Sequence, residues 1–252
     1  MKSLVIGYGS IGQRHVKNLL KIPKMQIIIC TKKTDIKFKK RCIFINSLKK
    51  SIQEKPDFAL ICNNTSEHVK TATILAHAGI DLFIEKPLSN SLNGISLLEK
   101  ISKNKKLVTM IGCNLRFNSS LLMVKKLLDE QVIGKIYSVH AESGSFFPEW
   151  HPYEDYKQSY VSQKKLGGGV ILTSIHDIDY LFWFFGKVKE ISSFSEKVSN
   201  LDINTEDLSS SLLKFQNKIL GELHMNIIQK NPSRTCTIIG EKGTIFCSVE
   251  AN

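Results

Sequence analysis

Short apolar runs alternate with amphipathic segments along the first 112 residues. Six runs rich in β-forming residues predict strands, at Ser3–Ile6, Gln26–Cys30, Cys42–Ile45, Phe58–Cys62, Leu82–Glu85 and Leu107–Gly112. Segments with helical periodicity predict helices at Ser10–Lys21, Ser47–Lys55, Ser66–Ala78 and Ser91–Asn104, while the polar, basic segment Thr31–Lys40 predicts a loop. Ser47 is a good N-cap and Gly79 a good C′ residue for two of these helices. Because the strands are too continuously apolar to leave one face in water, we predict a parallel sheet covered by helices.

The pattern changes after about Asn114. Beyond it, the sequence predicts a helix at Ser119–Glu130, a strand at Ile136–Ser143, an aromatic loop at Phe146–Tyr160 and a helix at Gly169–Phe185. Five further strands are predicted, at Glu190–Lys197, Leu208–Phe215, Ile219–Asn226, Thr235–Ile239 and Thr244–Ser248. Tight turns at Gln216–Lys218 and Gly240–Gly243 suit antiparallel hairpins. We therefore expect two domains, an α/β domain over residues 1–114 and an α+β domain with a mixed or antiparallel sheet over residues 115–252.

Composition excludes several classes of protein. An apolar fraction of 42% is that of a globular protein, and no apolar run has the length of a signal peptide or a membrane span, so we expect a cytoplasmic protein without membrane contact. The six cysteines are scattered without a C-x-x-C pair, which is typical of reduced core thiols. The net charge of +12 could suit nucleic acid or a smaller polyanion such as a dinucleotide. Most basic residues are dispersed lysines without interleaved aromatics, so we expect no nucleic-acid partner and a solvated basic surface.

Three glycines follow the first predicted strand, in Gly7-Tyr-Gly9-Ser10-Ile11-Gly12. Gly7 would allow a tight turn, Gly9 a close approach of the backbone to a pyrophosphate, and Gly12 close packing of the helix on the strand. The free N–H groups of the helix that begins at Ser10 and Ile11 would point at the phosphates. The first domain is therefore predicted to be a doubly wound Rossmann sheet that binds a dinucleotide.

The end of the second predicted strand bears on the choice of dinucleotide. An acidic residue there would bind the ribose hydroxyls of NAD, but the sequence reads Thr31-Lys32-Lys33. A hydroxyl and two cations suit a 2′-phosphate, so we predict a preference for NADP over NAD. The alternative is that Lys32 and Lys33 are ordinary loop charges.

Taken together, four motifs in order resemble the Gfo/Idh/MocA oxidoreductases, NAD(P)-dependent enzymes that act mostly on sugars, sugar derivatives and cyclitols. Besides the glycines, these are Glu85-Lys86-Pro87-Leu88-Ser89, Gly112-Cys-Asn-Leu-Arg116-Phe117, and the run from Gly167-Gly-Gly to His176-Asp-Ile-Asp179-Tyr180. The segment from Trp150-His151-Pro152 to Tyr156 and Tyr160 is similar to a branch of the family linked to bacterial surface-sugar metabolism.

The resemblance implies roles for the residues at two predicted strand ends. The turn Asn63-Asn64-Thr65 would pass under the cofactor with His68 nearby, although Thr65 or Ser66 could simply cap the next helix. Glu85 and Lys86 would also lie at the cofactor, and Lys86 is the residue expected to contact the reacting hydroxyl or carbonyl. Hydride transfer at a carbinol carbon needs a nearby proton donor or acceptor, and an ammonium beside a cationic nicotinamide has its pKa lowered.

His176 is the second predicted acid–base residue. On one continuous helix from Gly169, Thr173, His176, Tyr180 and Trp183 would share a face, and the unperturbed pKa of histidine is near neutrality. The alternative is a buried histidine capped by a neighbour such as Asp179. Family members commonly carry an Asp about one turn earlier, where this chain has Leu172 and Thr173. The chain also stops at Asn252, where the family's second domain usually continues, and both departures put activity in doubt.

Substrate-side candidates combine aromatic faces, which suit sugar C–H surfaces, with cations and polar groups. They are Arg116, Trp150, His151, Tyr156, Tyr160, Lys165, Thr173 and His176. Aromatics in such a loop can equally pack under the preceding strand. His151 and His176 with Asp177 and Asp179 lack the spacing of a metal site, so we expect no metal.

The sequence thus predicts a hydride-transferring oxidoreductase of a sugar-type secondary alcohol, using NADP or NAD, that forms a homo-oligomer through the second-domain sheet. A catalytically weak NAD(P)-binding sensor or pseudoenzyme is the alternative.

Overall fold

The computed structural model describes residues 1–34, 38, 40–152 and 154–249. Residues 35–37 and 39 of the predicted loop Thr31–Lys40, Tyr153 of the predicted aromatic loop, and residues 250–252 lie outside the described residues. The chain divides into two compact units, Met1–Gly112 and Cys113–Asn252.

Unit 1 is a six-stranded sheet with helices. Its strands are β1 (Lys2–Ile6), β2 (Gln26–Cys30), β3 (Ile43–Ile45), β4 (Phe58–Ile61), β5 (Asp81–Ile84) and β6 (Thr109–Ile111). Its helices are α1 (Ser10–Leu19), α2 (Leu48–Gln53), α3 (His68–His77) and α4 (Ile95–Asn104). Every pair of neighbouring strands is parallel, in the order β3-β2-β1-β4-β5-β6. The predicted parallel sheet is confirmed, with the strand order of a doubly wound dinucleotide-binding fold.

Both faces of this sheet are buried, as the continuous apolar strands predicted. Leu4 and Ile28 pack in one core cluster, whereas their neighbours Val5 and Ile29 pack in the other. Because successive strand residues point to opposite faces, the helices must cover both.

Local capping follows the sequence at the start of α2 and at the end of α3, and departs from it at the starts of α3 and α4. Ser47 accepts the Lys50 N–H at 3.4 Å, and Gly79 follows α3 with φ of +77°. A 3₁₀ turn, Thr65–Glu67, comes before α3, whose N-cap residue is Glu67, so the alternative of capping by Thr65 or Ser66 is wrong. Helix α4 begins at Ile95 and not at Ser91, because its N-cap Gly94 has a left-handed conformation with φ of +79°.

Unit 2 has a second six-stranded sheet. Its strands are β7 (Ile136–Phe146), β8 (Val188–Glu196), β9 (Leu208–Phe215), β10 (Leu220–Asn226), β11 (Ile228–Gly240) and β12 (Gly243–Ser248). Its helices are α5 (Ser119–Asp129), α6 (Val170–Thr173) and α7 (Ile175–Phe185), and 3₁₀ turns lie at Asn114–Phe117, Phe147–Glu149, Tyr156–Gln158, Tyr160–Ser162 and Lys164–Leu166. The order is β12-β11-β7-β10-β9-β8, with β7 and β10 parallel and the other pairs antiparallel. The sheet is therefore mixed, and both predicted hairpins are confirmed.

Two elements of unit 2 differ from the predictions. Strand β11 begins at Ile228 and not at Thr235, because a register shift between Ile228 and Ser233 accommodates the polar stretch that contains Pro232. The predicted helix Gly169–Phe185 is broken at Ser174, whose φ of −93° and ψ of +24° interrupt the helical geometry. The single helical face predicted for Thr173, His176, Tyr180 and Trp183 is therefore wrong.

Candidate functional site

The glycine turn after β1 is shaped by three different steric constraints. Gly7 has φ of +90°, and a Cβ there would lie 2.6 Å from the Cys62 carbonyl oxygen. A Cβ at Gly12 would lie 2.2 Å from the Gly7 carbonyl oxygen, whereas one at Gly9 would meet no described atom within 4 Å. Two glycines thus let the turn and α1 pack closely, while the third leaves its side of the backbone open at the N-terminus of α1. A pyrophosphate group fits this arrangement, and Ser10 and Ile11 supply the first N–H groups of α1.

The turn lies where the strand order of the sheet reverses. Strand β1 lies between β2 and β4, so the carboxyl ends that carry Gly7 and Asn63 are adjacent. Asn63 Nδ2 donates to Thr71 Oγ1 at 3.0 Å, Thr65 is buried, and Asn64 is exposed. Ligands of open α/β sheets bind at such a reversal point.

His68 is buried and contacts main-chain atoms at both ring nitrogens. Its Nδ1 lies 2.8 Å from the Pro87 carbonyl oxygen and its Nε2 lies 3.0 Å from the Asn63 carbonyl oxygen. The ring therefore joins the turn after β4 to the segment after β5.

The Glu85-Lys86-Pro87 segment follows β5 and has a partner that the sequence did not reveal. Glu85 Oε1 lies 2.6 Å from His15 Nε2 on α1, and Glu85 Oε2 accepts the Lys86 N–H at 3.2 Å. Lys86 is partly exposed, and its peptide bond to Pro87 is cis. His15 lies three residues after Gly12 and so shares its side of α1, which is the only sequence signal that pointed to it.

The basic end of β2 is accessible. The Thr31 N–H donates to the Ile45 carbonyl at 3.1 Å, and Thr31 Oγ1 accepts the Lys33 N–H at 3.1 Å. Lys32 and Lys33 are both exposed. The residues that follow at 35–37 lie outside the described chain.

In unit 2, the break at Ser174 separates Thr173 from His176. Thr173 is the last residue of α6 and is buried, while His176 is the second residue of α7 and is partly exposed. The start of α6 is held by Glu206, which the sequence did not single out. Glu206 Oε1 accepts the Ile171 N–H at 3.3 Å, and a Cβ on Gly169 would lie 2.1 Å from this oxygen.

Asp177, next to His176, is fully buried in a polar cluster that the sequence also missed. Ser143 Oγ donates to its Oδ2 at 2.9 Å, and Arg234 Nε lies 3.2 Å from its Oδ1. Burial raises the pKa of the Asp177 carboxyl, an effect that Arg234 and Ser143 partly offset, and the pKa of the adjacent Tyr180 is raised by burial and by the Asp177 charge. No local pattern distinguishes Asp177 from Asp179, because its partners Ser143 and Arg234 are distant in sequence.

Asp179 forms an ion pair with Arg116. Arg116 Nε and Nη2 each donate to one Asp179 oxygen at 2.8 Å, and the Arg116 guanidinium lies 5.7 Å from the Trp183 ring centre. The hydrogen bonds to Asp179 raise the pKa of Arg116. The side chain of Arg116 remains 39% exposed.

The aromatic loop packs mainly against the core of unit 2. Trp150, Tyr156 and Tyr160 are partly buried against the core cluster, and Trp150 Nε1 donates to Ser145 Oγ at 2.9 Å. His151 is partly exposed, and Lys165 is exposed. Packing against the core thus accounts for much of the burial of these aromatics.

Neither a metal cluster nor a membrane-spanning helix is found among the described residues. Among them, no group of three or more His, Cys, Asp or Glu side chains could hold a metal ion. The described helices include none that is long and apolar enough to cross a membrane.

Comparison with known proteins gives matches over both units. Residues 1–113 match the family described as an oxidoreductase family with an NAD-binding Rossmann fold, and residues 121–246 match the GFO/IDH/MocA C-terminal domain. An uncharacterized oxidoreductase of Bacillus subtilis, YrbE, is 26% identical over 84% of this chain, which spans 63% of that protein's length. An inositol 2-dehydrogenase/D-chiro-inositol 3-dehydrogenase of Shouchella clausii is 23% identical, with 96% of this chain and 70% of that protein covered.

Solved structures share the fold at lower identity. The myo-inositol 2-dehydrogenase of Lactobacillus plantarum superposes with a TM-score of 0.85 at 20% identity, covering 98% of this chain and 76% of that one. The WlbA dehydrogenase of Bordetella pertussis, solved with NADH and UDP-GlcNAcA, gives a TM-score of 0.85 at 19% identity, covering 97% and 77%. With family matches over both units, the chain belongs to the Gfo/Idh/MocA family of oxidoreductases.

Proposed function

We propose that this protein is an NAD(P)-dependent oxidoreductase that interconverts a secondary alcohol and a ketone on a sugar, sugar derivative or cyclitol. The observation that carries the proposal is the turn from Gly7 to Gly12, which leaves Gly9 open at the reversal point of the sheet. When bound, the nicotinamide cofactor supplies or accepts the hydride. The remaining chemistry, which is binding, orientation and proton transfer, falls to the protein's side chains.

Cofactor binding is assigned to the strand ends of unit 1. Gly7, Gly9, Ser10, Ile11 and Gly12 would hold the pyrophosphate, and Asn63, Asn64 and Thr65 would line the adjacent strand end. Thr31, Lys32 and Lys33 would bind a 2′-phosphate, so NADP is the proposed cofactor and NAD the alternative. Two exposed cations at the end of β2 support this preference.

Proton transfer is assigned to Lys86 and His176. Lys86 would exchange the proton of the reacting oxygen at Nζ, since its main chain is fixed through Glu85 and its side chain is partly exposed. His176 is the second acid–base group. Of the two carboxylates near it in sequence, Asp177 contacts Ser143 and Arg234, and Asp179 contacts Arg116.

The substrate class is proposed from the relatives. Several relatives are named inositol dehydrogenases, and the WlbA structures contain UDP-GlcNAcA. Polar substrate contacts are assigned to Arg116, His151, Thr173 and His176, whereas Trp150, Tyr156 and Tyr160 would form the wall behind them. These compounds share a ring that carries several hydroxyl groups.

A homo-oligomer through the second sheet is proposed from the sheet's outer face. Phe194, Leu212, Leu220 and Phe246 are each more than half exposed. The strand register places all four on the face opposite the buried residues Leu213 and Cys236. An exposed apolar row on a six-stranded sheet is typical of an association surface.

The alternative function is an NAD(P)-binding protein with weak or absent catalysis. It is favoured by Thr173, a neutral hydroxyl at the position where the resemblance to the family implies an acid that would orient the histidine. A neutral hydrogen bond holds and polarises an imidazole less strongly than a carboxylate does.

The test combines cofactor titration with turnover on a small panel. NADPH and NADH binding is measured by fluorescence, and oxidation of myo-inositol, scyllo-inositol and a UDP-sugar is followed by absorbance, for the native protein and for Lys86→Ala, His176→Ala and the exposed control His77→Ala. We expect the first two variants to bind cofactor but to lose about 10²–10⁴-fold in turnover, as removal of an acid–base group does, while the control is unchanged. Full turnover in either variant would remove that residue from the mechanism, and cofactor binding without turnover by the native protein would establish the alternative.

A further inference from the structure

We infer that His15 and His68 are positioning residues for Lys86, holding the Glu85–Pro87 segment from its two ends. The inference rests on the proposed function of Lys86 as the proton-transferring residue. Every contact involved lies within unit 1.

The first end is held by His15 through Glu85. The Glu85 carboxylate is only 12% exposed and His15 18%, and Nε2 of the ring lies 2.6 Å from Oε1. The other oxygen, Oε2, accepts the Lys86 N–H at 3.2 Å. One carboxylate thus links a ring on α1 to the main chain of Lys86, and the edge of the His15 ring packs against Phe83 at 5.3 Å between centres. Little rotational freedom is left to Glu85.

The second end is held by His68 through Pro87. The His68 ring is 2% exposed, with Nδ1 at 2.8 Å from the Pro87 carbonyl and Nε2 at 3.0 Å from the Asn63 carbonyl. Both partners are main-chain carbonyl oxygens, so the ring contacts two strand ends. A neutral imidazole donates to one of them, and only an imidazolium donates to both. The ring cannot turn toward a ligand without losing a buried contact, which favours a role in positioning over the place beside the cofactor that the resemblance implied.

The two anchors connect Lys86 to the two turns assigned to the dinucleotide. His15 belongs to α1, which begins at the glycine turn, and His68 begins α3, directly after the Asn63–Thr65 turn. The Lys86 main chain is therefore fixed relative to both ligand-binding turns. The position of Lys86 relative to these turns matters because a displacement of about 1 Å at a reacting group can lower the rate about 10²-fold.

The test uses His15, whose partly buried ring can be replaced by side chains of similar size. His15→Leu removes the polar contact to Glu85, His15→Gln keeps an amide that can donate to it, and His77→Gln changes an exposed histidine of α3 as the matched control. The first readout is hydrogen exchange at the Lys86 amide by NMR in the absence of substrate. We expect exchange at least about tenfold faster in His15→Leu, near-native exchange in His15→Gln, and no change in the control.

The second readout is steady-state kinetics with the best substrate of the panel. His15→Leu should lower kcat about tenfold or more while the KM for NADPH changes by less than about twofold, and His15→Gln should recover most of kcat. His68→Gln keeps one donor toward Pro87. We expect it to lower kcat less than His15→Leu does and to leave the KM for NADPH nearly unchanged.

The two readouts separate the inference from the proposed function. If the native protein turns over no substrate, the proposed function fails, and the exchange measurement still tests the positioning. Unchanged Lys86 exchange in His15→Leu would overturn the inference. Faster exchange with unaltered kcat would also overturn it, because Lys86 would then need no positioning.

Discussion

Arg116 binds Asp179 through two parallel hydrogen bonds of 2.8 Å, and its guanidinium lies 5.7 Å from the ring centre of Trp183. A planar fork makes both contacts possible at once, which an ammonium cannot do. We therefore expect Arg116→Lys to keep the charge but to lower the free energy of unfolding by about 1 kcal/mol, a value discounted for the partial exposure of the pair. Urea unfolding followed by tryptophan fluorescence measures this in unit 2, because both tryptophans, Trp150 and Trp183, belong to it. The exposed pair Lys157–Asp202 offers the control Lys157→Ala, and an equal effect of the two substitutions would contradict the prediction.

Two substitutions in the glycine turn should separate an effect on folding stability from an effect on ligand binding. In Gly7→Ala, the positive φ and the approach to the Cys62 carbonyl should cost about 1–3 kcal/mol or more in stability. In Gly9→Ala, the new methyl group meets no described atom within 4 Å, so stability should be near native while dinucleotide affinity falls because the methyl occupies the open side. Thermal unfolding and NADPH titration of both variants check this. Native affinity in a well-folded Gly9→Ala protein would place the pyrophosphate elsewhere.

The basic end of β2 should discriminate between the two dinucleotides. Replacing Lys32 and Lys33 together by alanine should raise the Kd for NADPH about tenfold, which is about 1.4 kcal/mol, and leave the Kd for NADH unchanged. Lys49→Ala, at another exposed position of unit 1, is the control. Tighter binding of NADH than of NADPH by the native protein would exclude the 2′-phosphate assignment.

The buried Asp177 should make the free energy of unfolding depend on pH in a predictable direction. Burial raises its pKa above the unfolded value of about 3.9, so the folded state holds this proton more tightly than the unfolded state does. The contribution of Asp177 to the free energy of unfolding is thus fully present below about pH 3.9 and is lost as the pH rises through the raised pKa. The free energy of unfolding of the native protein minus that of Asp177→Asn should therefore fall with increasing pH. Ser143→Ala, which removes a donor to the carboxylate, should extend this fall to higher pH, and a difference that rises with pH would refute the assignment.

The sequence was most informative where the physical constraint is local. Gly7 and Gly79 mark backbone positions with positive φ, and the apolar runs of unit 1 needed only their own composition to predict buried parallel strands. Hairpin turns at Gln216–Lys218 and Gly240–Gly243 are likewise local. These features determine the fold class and the position of the glycine turn.

The rest depends on contacts between distant residues. His15 and Glu85 are 70 positions apart, so neither identifies the other in a single sequence. Asp177 and Asp179 look equivalent until Arg234 and Arg116 are placed beside them. The break at Ser174 was missed because the residues from Val170 to Phe185 include no glycine or proline to signal it.

The parallel pairing of β7 with β10 has a consequence for folding. Strand β7 lies in the middle of its sheet, yet both of its neighbours, β10 and β11, come about 70 or more residues later in the chain. At a synthesis rate of about 5–20 residues per second, β7 would wait roughly 4–15 s on the ribosome before either neighbour exists. Its apolar positions, Val139 and Ala141, would stay uncovered by the sheet during that time. This sheet therefore closes only after its last strands are made, and its non-local pairing leaves β7 accessible to chaperones and to aggregation during synthesis.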